Sequence, residues 1–159
     1  MKTSTIISEL SIEDLVELFS KALRNDDMFF AYWDTLKRYD GVVFERDDAY
    51  ELKLAKLLFH GGTVNFYDRQ AGWAIFGEKG IYDKSQDPDK EGIIKYPLKL
   101  DDIRRGLSNI ADGDFKCDGE HKVIALEYLG YFRHFRDYFD ETAAETLLQI
   151  IIFGEWVYN

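Results

Sequence analysis

Apolar residues recur at helical spacing toward both ends of the chain and at alternate positions in its middle, and that change of period sets the expected architecture. Ile12, Leu15, Val16, Phe19, Ala22 and Leu23 share one helical face. Ser11 with Asp14 three residues on has the form of a capping box with Asp in place of Glu, so a first helix is predicted from Ser11 to Asn25. Phe29, Trp33 and Leu36 follow at i, i+4 and i+7 behind Asp26 and Asp27, which predicts a short aromatic second helix ended by Gly41. Asp47 and Asp48 open a third helix through Leu54, Leu57 and Leu58, stopped near His60 by Gly61-Gly62.

The period then falls to two. Val64 and Phe66 alternate with Asn65 and Tyr67, and a loop through Gln70-Ala71-Gly72 leads to Trp73-Ala74-Ile75-Phe76, predicting a hairpin. Ile93-Ile94-Lys95-Tyr96 reads as a further strand ending at Pro97, so a central antiparallel meander of about three strands is expected over 63–96. Asp101 or Asp102 caps a helix bearing Ile103, Leu107 and Ile110 that Gly113 ends, and Asp118-Gly119 marks a tight turn in a connection with room for a small hairpin. Tyr128, Phe132, Phe135 and Phe139 keep helical spacing between Val123 and Phe139, with all three Phe expected in the core and Arg133 paired to Asp137. Thr142 and Glu145 form a capping box for a last helix through Leu147, Leu148 and Ile151. With no internal repeat and no long linker, residues 1–159 read as a single α+β domain: N-terminal helices, a central sheet, then C-terminal helices packed on it.

Composition agrees with a folded chain. Of 159 residues 46% are hydrophobic and 16% aromatic, more ring than an acidic disordered segment carries. The single cysteine, Cys117, excludes an internal disulfide, and no signal-like apolar run precedes Glu9. The longest apolar stretch, Leu147 to Tyr158, is broken by Gln149, Gly154 and Glu155 and falls short of the ~20 residues of a membrane span. A cytoplasmic location away from membranes is the resulting expectation.

Net charge −10 repels phosphate backbones, so general nucleic-acid binding is not expected and a basic protein is the natural partner. The charge is uneven: residues 61–110 hold 8 basic and 8 acidic groups, whereas residues 111–159 hold 4 and 10. Asp112, Asp114, Asp118 and Glu120 are the densest acidic group outside the predicted helices, and are the candidate partner-binding residues.

Other constellations are weaker. Asp87-Pro88-Asp89-Lys90-Glu91-Gly92 begins like a calcium loop, but its closing position is Leu98, which has no oxygen to donate. Cys117 and His121 are two ligand types four residues apart, and two ligands do not hold a metal. The run from Tyr131 to Tyr138 mixes rings with Arg133, His134 and Arg136, which helical spacing explains without a ligand. Arg104 and Arg105, expected in a helical first turn where the macrodipole opposes cations, hint at an anionic neighbour. Phosphate loops, dinucleotide glycine patterns and serine elbows are absent, and no catalytic residue, metal or cofactor is predicted.

The expected function is a small inhibitory or protein-binding domain, of the immunity or anti-nuclease kind, complementary in surface to a basic partner. The alternative is a small-molecule-binding domain or enzyme with a pocket between the aromatic helices and the sheet, lined by Tyr67, Trp73 and Tyr96 with Arg104 and Arg105 nearby. The apolar C-terminal stretch also predicts either a homodimer or a filled monomer core.

Overall fold

The structure is a computed structural model, and it describes residues 9–24, 28–33, 42–69, 74–83 and 93–158. These residues form an α+β fold of five α-helices and one antiparallel sheet. In chain order the elements are α1 (Ile12–Ala22), β1 (Phe29–Trp33), α2 (Tyr50–Phe59), β2 (Val64–Asp68), β3 (Ile81–Asp83), β4 (Ile93–Leu98), α3 (Leu100–Asp112), α4 (Gly119–His134) and α5 (Glu141–Phe153), with a single 3-10 turn at Arg136–Tyr138. The strands lie in the order β1-β2-β4-β3, every neighbouring pair antiparallel. The sheet is therefore not a sequential meander.

Helix α1 starts as its capping box requires: Asp14 N–H donates to Ser11 Oγ at 3.2 Å, and Ser11 N–H donates to Asp14 Oδ2 at 2.8 Å. Its buried residues Leu15, Leu18, Phe19 and Ala22 pack toward α2 and α5. The expected second helix is instead β1, with its Leu36 outside the described residues. A spacing of four fits one helical turn and also two strand repeats, so Phe29 and Trp33 satisfied both periods. The deciding feature is the β-favouring run Phe-Phe-Ala-Tyr-Trp, in which Phe29 and Ala31 are buried while Phe30 and Tyr32 turn to the other face.

The predicted hairpin partner also fails. Trp73 lies outside the described residues, and Ala74, Ile75 and Phe76 are not strand. Phe76 N–H donates to the Tyr96 hydroxyl at 3.2 Å rather than to a ladder, and its ring packs on Phe153. Strand β2 pairs with β1 and β4 instead, Phe66 opposite Ala31 and Tyr96. The loop resembling a calcium site, up to Gly92, lies outside the described residues.

Three helix starts differ from expectation. Helix α2 is preceded by Ala49, while Asp48 accepts from Glu45 N–H and pairs with Lys56 at 2.6 Å. Helix α3 begins at Leu100, so Asp102 does not cap it but reaches back from its third position to Lys99 N–H at 2.8 Å. Asp140, not Thr142, caps α5 by accepting from Ala143 N–H at 2.8 Å. Asp118-Gly119 is likewise a helix start and not a hairpin turn: Asp118 accepts from His121 N–H at 2.9 Å. A turn and an N-cap use the same carboxylate-to-amide bond, which is why the dipeptide signals both.

Helix α4 ends at His134, five residues before the expected aromatic stripe does. Phe135 is 58% exposed, and the 3-10 turn carries Phe139 back onto Phe132 at 5.2 Å between ring centres. Arg136 Nε donates to the Phe132 carbonyl at 2.9 Å, and its guanidinium pairs with Asp14 of α1, so the anticipated pairing runs between helices and not from Arg133 to Asp137.

The core is organised by α5, in which every residue from Thr146 to Phe153 is buried. The apolar surface that raised the question of a dimer is thus covered within one chain. Close approach of α3 requires Gly106, where an added Cβ would lie 2.9 Å from Ile151 Cα. Gly106→Ala is expected to lower unfolding free energy by about 1–3 kcal/mol through overpacking. Gly130→Ala, on α4 with open space around it, should raise it by about 0.5–1 kcal/mol. Denaturant melts of the two variants check both signs.

Candidate functional site

The four acids chosen from sequence meet at one corner of the fold. Helix α3 ends on Gly113 in the left-handed conformation, φ 70°, and Asp114 N–H returns to the Asn109 carbonyl at 2.8 Å, so the chain reverses there. Phe115 anchors the reversal in the core, and Asp112, Asp114, Asp118 and Glu120 all stand exposed around it. Lys122 Nζ donates to the Gly113 carbonyl at 2.7 Å and lies 5.8 Å from the Phe115 ring centre, which fixes that cation on the backbone. Asp118 has a structural duty as well. The His121 N–H and the His121 ring, 2.7 Å away, hold its carboxyl below the usual range.

Cys117 and His121 do not assemble a reactive site. The thiol donates to the Asp118 carbonyl at 3.1 Å, and burial pushes its pKa up, against a poised nucleophile. His121 directs Nδ1 at Asp118 and lies edge-on to Trp156 at 4.6 Å. Among the described residues no group of three His, Cys, Asp or Glu side chains is placed to hold a metal ion.

The expected pocket between helices and sheet is occupied by core side chains. Tyr96 is fully buried, packs edge-on to Phe153 at 5.1 Å, and its phenol is pushed up by burial. Tyr67 is 2% exposed, stacks on Phe30 at 4.8 Å, and donates to Asp83 at 3.0 Å. Neither lines the cleft that opens beside α3.

That cleft, about 350 Å³, lies at the junction of α3, the C-terminal end of α5 and the loop at Gly77–Lys79. Arg105 lines it and Arg104 does not. Both arginines sit in the second turn of α3, and acids one turn back face them, Asp101 at 3.5 Å from Arg104 and Asp102 at 3.8 Å from Arg105. The anion they called for is therefore on their own helix. Lys79 reaches Asp102 at 2.5 Å from the facing loop, and Lys116 and Glu155 complete a rim of mixed sign. Asn109 lies one turn along α3 from Arg105, whereas Lys116 was invisible from sequence, because only its pairing with Gly154 and Glu155 at the end of α5 brings it to the cleft.

No helix among the described residues is long and apolar enough to cross a membrane. The chain matches no protein-family model, no curated protein and no solved structure.

Asp102 supplies a pH test. Burial works to raise its pKa, but hydrogen bonds from Lys79 and from Lys99 N–H outweigh burial and hold the carboxyl below its ordinary value. Its stabilising contribution is complete above the unfolded carboxyl's pKa, about 4, and is lost as pH falls through the lower folded value. Lys79→Met should raise the Asp102 pKa in a carboxyl NMR titration and so shrink the stability that this carboxyl contributes at neutral pH.

Proposed function

We propose that this chain is a protein-binding domain that docks on a basic partner through the α3–α4 corner. The supporting observation is the exposure of Asp112, Asp114 and Glu120 on one short reversal, none with an ion-pair partner among the described residues. Elsewhere acids are neutralised internally: Asp14 by Arg136, Asp48 by Lys56, Asp102 by Lys79. The corner thus keeps three uncompensated carboxylates close together, on a chain of net charge −10.

Its chemistry suits steering. Carboxylates held on a rigid helix–helix reversal attract a basic surface over several ångströms and need little ordering on contact. A nuclease, whose active face is built to hold phosphates, is the partner class that such phosphate-mimicking carboxylates suit, which makes inhibition the natural outcome of docking. A cytoplasmic setting fits a chain with one unpaired thiol.

The test leaves Asp118 in place, because it caps α4. Association of the wild type with a panel of basic nucleases, followed by stopped flow at low and high salt, should be fast and salt-sensitive for at least one member. Asp112→Asn, Asp114→Asn and Glu120→Gln combined should slow that association about tenfold and flatten its salt dependence. Unchanged kinetics in the triple variant, or no binding across the panel, would sink the reading.

A further inference from the structure

A cleft of about 240 Å³ opens at the free edge of the sheet, between β1 and the start of α2, lined by Leu23, Phe30, Ala31, Tyr32, Tyr50 and Glu51. Strand register decides which backbone groups face it. The Met28 carbonyl accepts from Arg69 N–H at 2.9 Å, so Met28, Phe30 and Tyr32 turn their peptide groups toward β2. Ala31 consequently turns its carbonyl to the open edge, where it accepts from the Tyr50 hydroxyl at 2.6 Å and keeps a second lone pair.

The lining has one electrostatic sense. Glu51 is half-buried, and among the described residues its carboxylate has no ion-pair partner and no basic side chain lines the cleft. Rings form the walls. Tyr50 is held by stacking on Trp33 at 5.3 Å, Phe30 and Tyr32 meet edge to face at 5.4 Å, and Tyr32 is 47% exposed. Leu23 and Ala31 supply apolar contact. The same ring cluster already receives a cation: the Arg69 guanidinium lies 4.2 Å from the Phe30 ring centre.

A half-buried acidic residue, a backbone carbonyl and aromatic walls with an apolar side favour a cation on an alkyl stem, because an anion would be repelled by the Glu51 charge and a neutral ligand would leave it unpaired. We propose that this cleft binds the ammonium or guanidinium end of a lysine- or arginine-like ligand. The positive end of α2 opposes such a ligand, so the Glu51 carboxylate is the dominant contact and the discriminating residue. The site shares no residue with the acidic corner and stands without it.

Titration with agmatine, followed by NMR of the tyrosine rings and Trp33 fluorescence, is the test. Expected is a saturable change at Tyr32 and Tyr50 with a Kd of about 1 mM, absent with the neutral shape analogue 1-butylurea. Glu51→Gln should weaken binding about tenfold and Tyr32→Ala by less, while the triple variant of the acidic corner binds as wild type. A capped Ala-Arg-Ala tripeptide separates the two sources of the cation. Tighter binding than agmatine assigns the site to a partner's side chain laid along β1, and weaker binding assigns it to a free amine or guanidine. No saturable change, equal binding by Glu51→Gln, or equal binding of 1-butylurea overturns the proposal.

Discussion

Burying one helix on all sides is the constraint on which the rest of this molecule depends. From Thr146 to Phe153, α5 has no solvent face, so each neighbouring element serves as a cover for part of its circumference. Helices α1, α3 and α4 pack against it, and the sheet contributes Phe29 and Tyr96 to the ring of Phe153. Two polar side chains, Thr146 and Gln149, are buried with it. Gln149 accepts from both Val157 N–H and Tyr158 N–H at 2.8 Å and donates to the Tyr158 carbonyl at 2.9 Å. A buried amide fully paired in this way fixes the closing segment against the helix, where an unpaired one would be costly. Tyr158 then completes the cover, its hydroxyl donating to the buried Asp68 at 2.7 Å.

This arrangement explains where the clefts lie. Tyr67 and Tyr96 fill space between helices and sheet, and clefts among the described residues lie where a covering element stops, as at the end of α5 beside Gly77 and Gly106 and at the β1 edge beside the start of α2. Glycine has opposite effects at the first of these. It lets the backbones touch at Ile151 and Phe153, and it leaves no side chain to fill the hollow beside the contact.

What the sequence made legible follows from which signals were unambiguous. Ser11-Asp14 and Gly113 specify backbone geometry directly, and the first helix and the end of α3 stand as read. Phe29 to Trp33 was misread because its spacing satisfies two periods. Ala74 to Phe76 was misread because local alternation cannot reveal that the partners of β2 are β1 and β4, both distant in sequence. Among the candidate residues, the exposure of Asp112, Asp114, Asp118 and Glu120 was readable from a polar run between helices. The surroundings of Glu51 were not, since its neighbours Phe30, Ala31 and Tyr32 were assigned to a helix.

Cys117 gives the α3–α4 reversal a built-in clock. It is the only thiol in the chain, it is partly covered, and its raised pKa keeps the reactive thiolate scarce at neutral pH. Attack on a disulfide reagent is therefore slow while the corner is closed, and loosening of the corner would quicken it. Labelling kinetics would report how often this reversal opens without any engineered probe, and a partner seated over the corner would register as protection of a single sulfur.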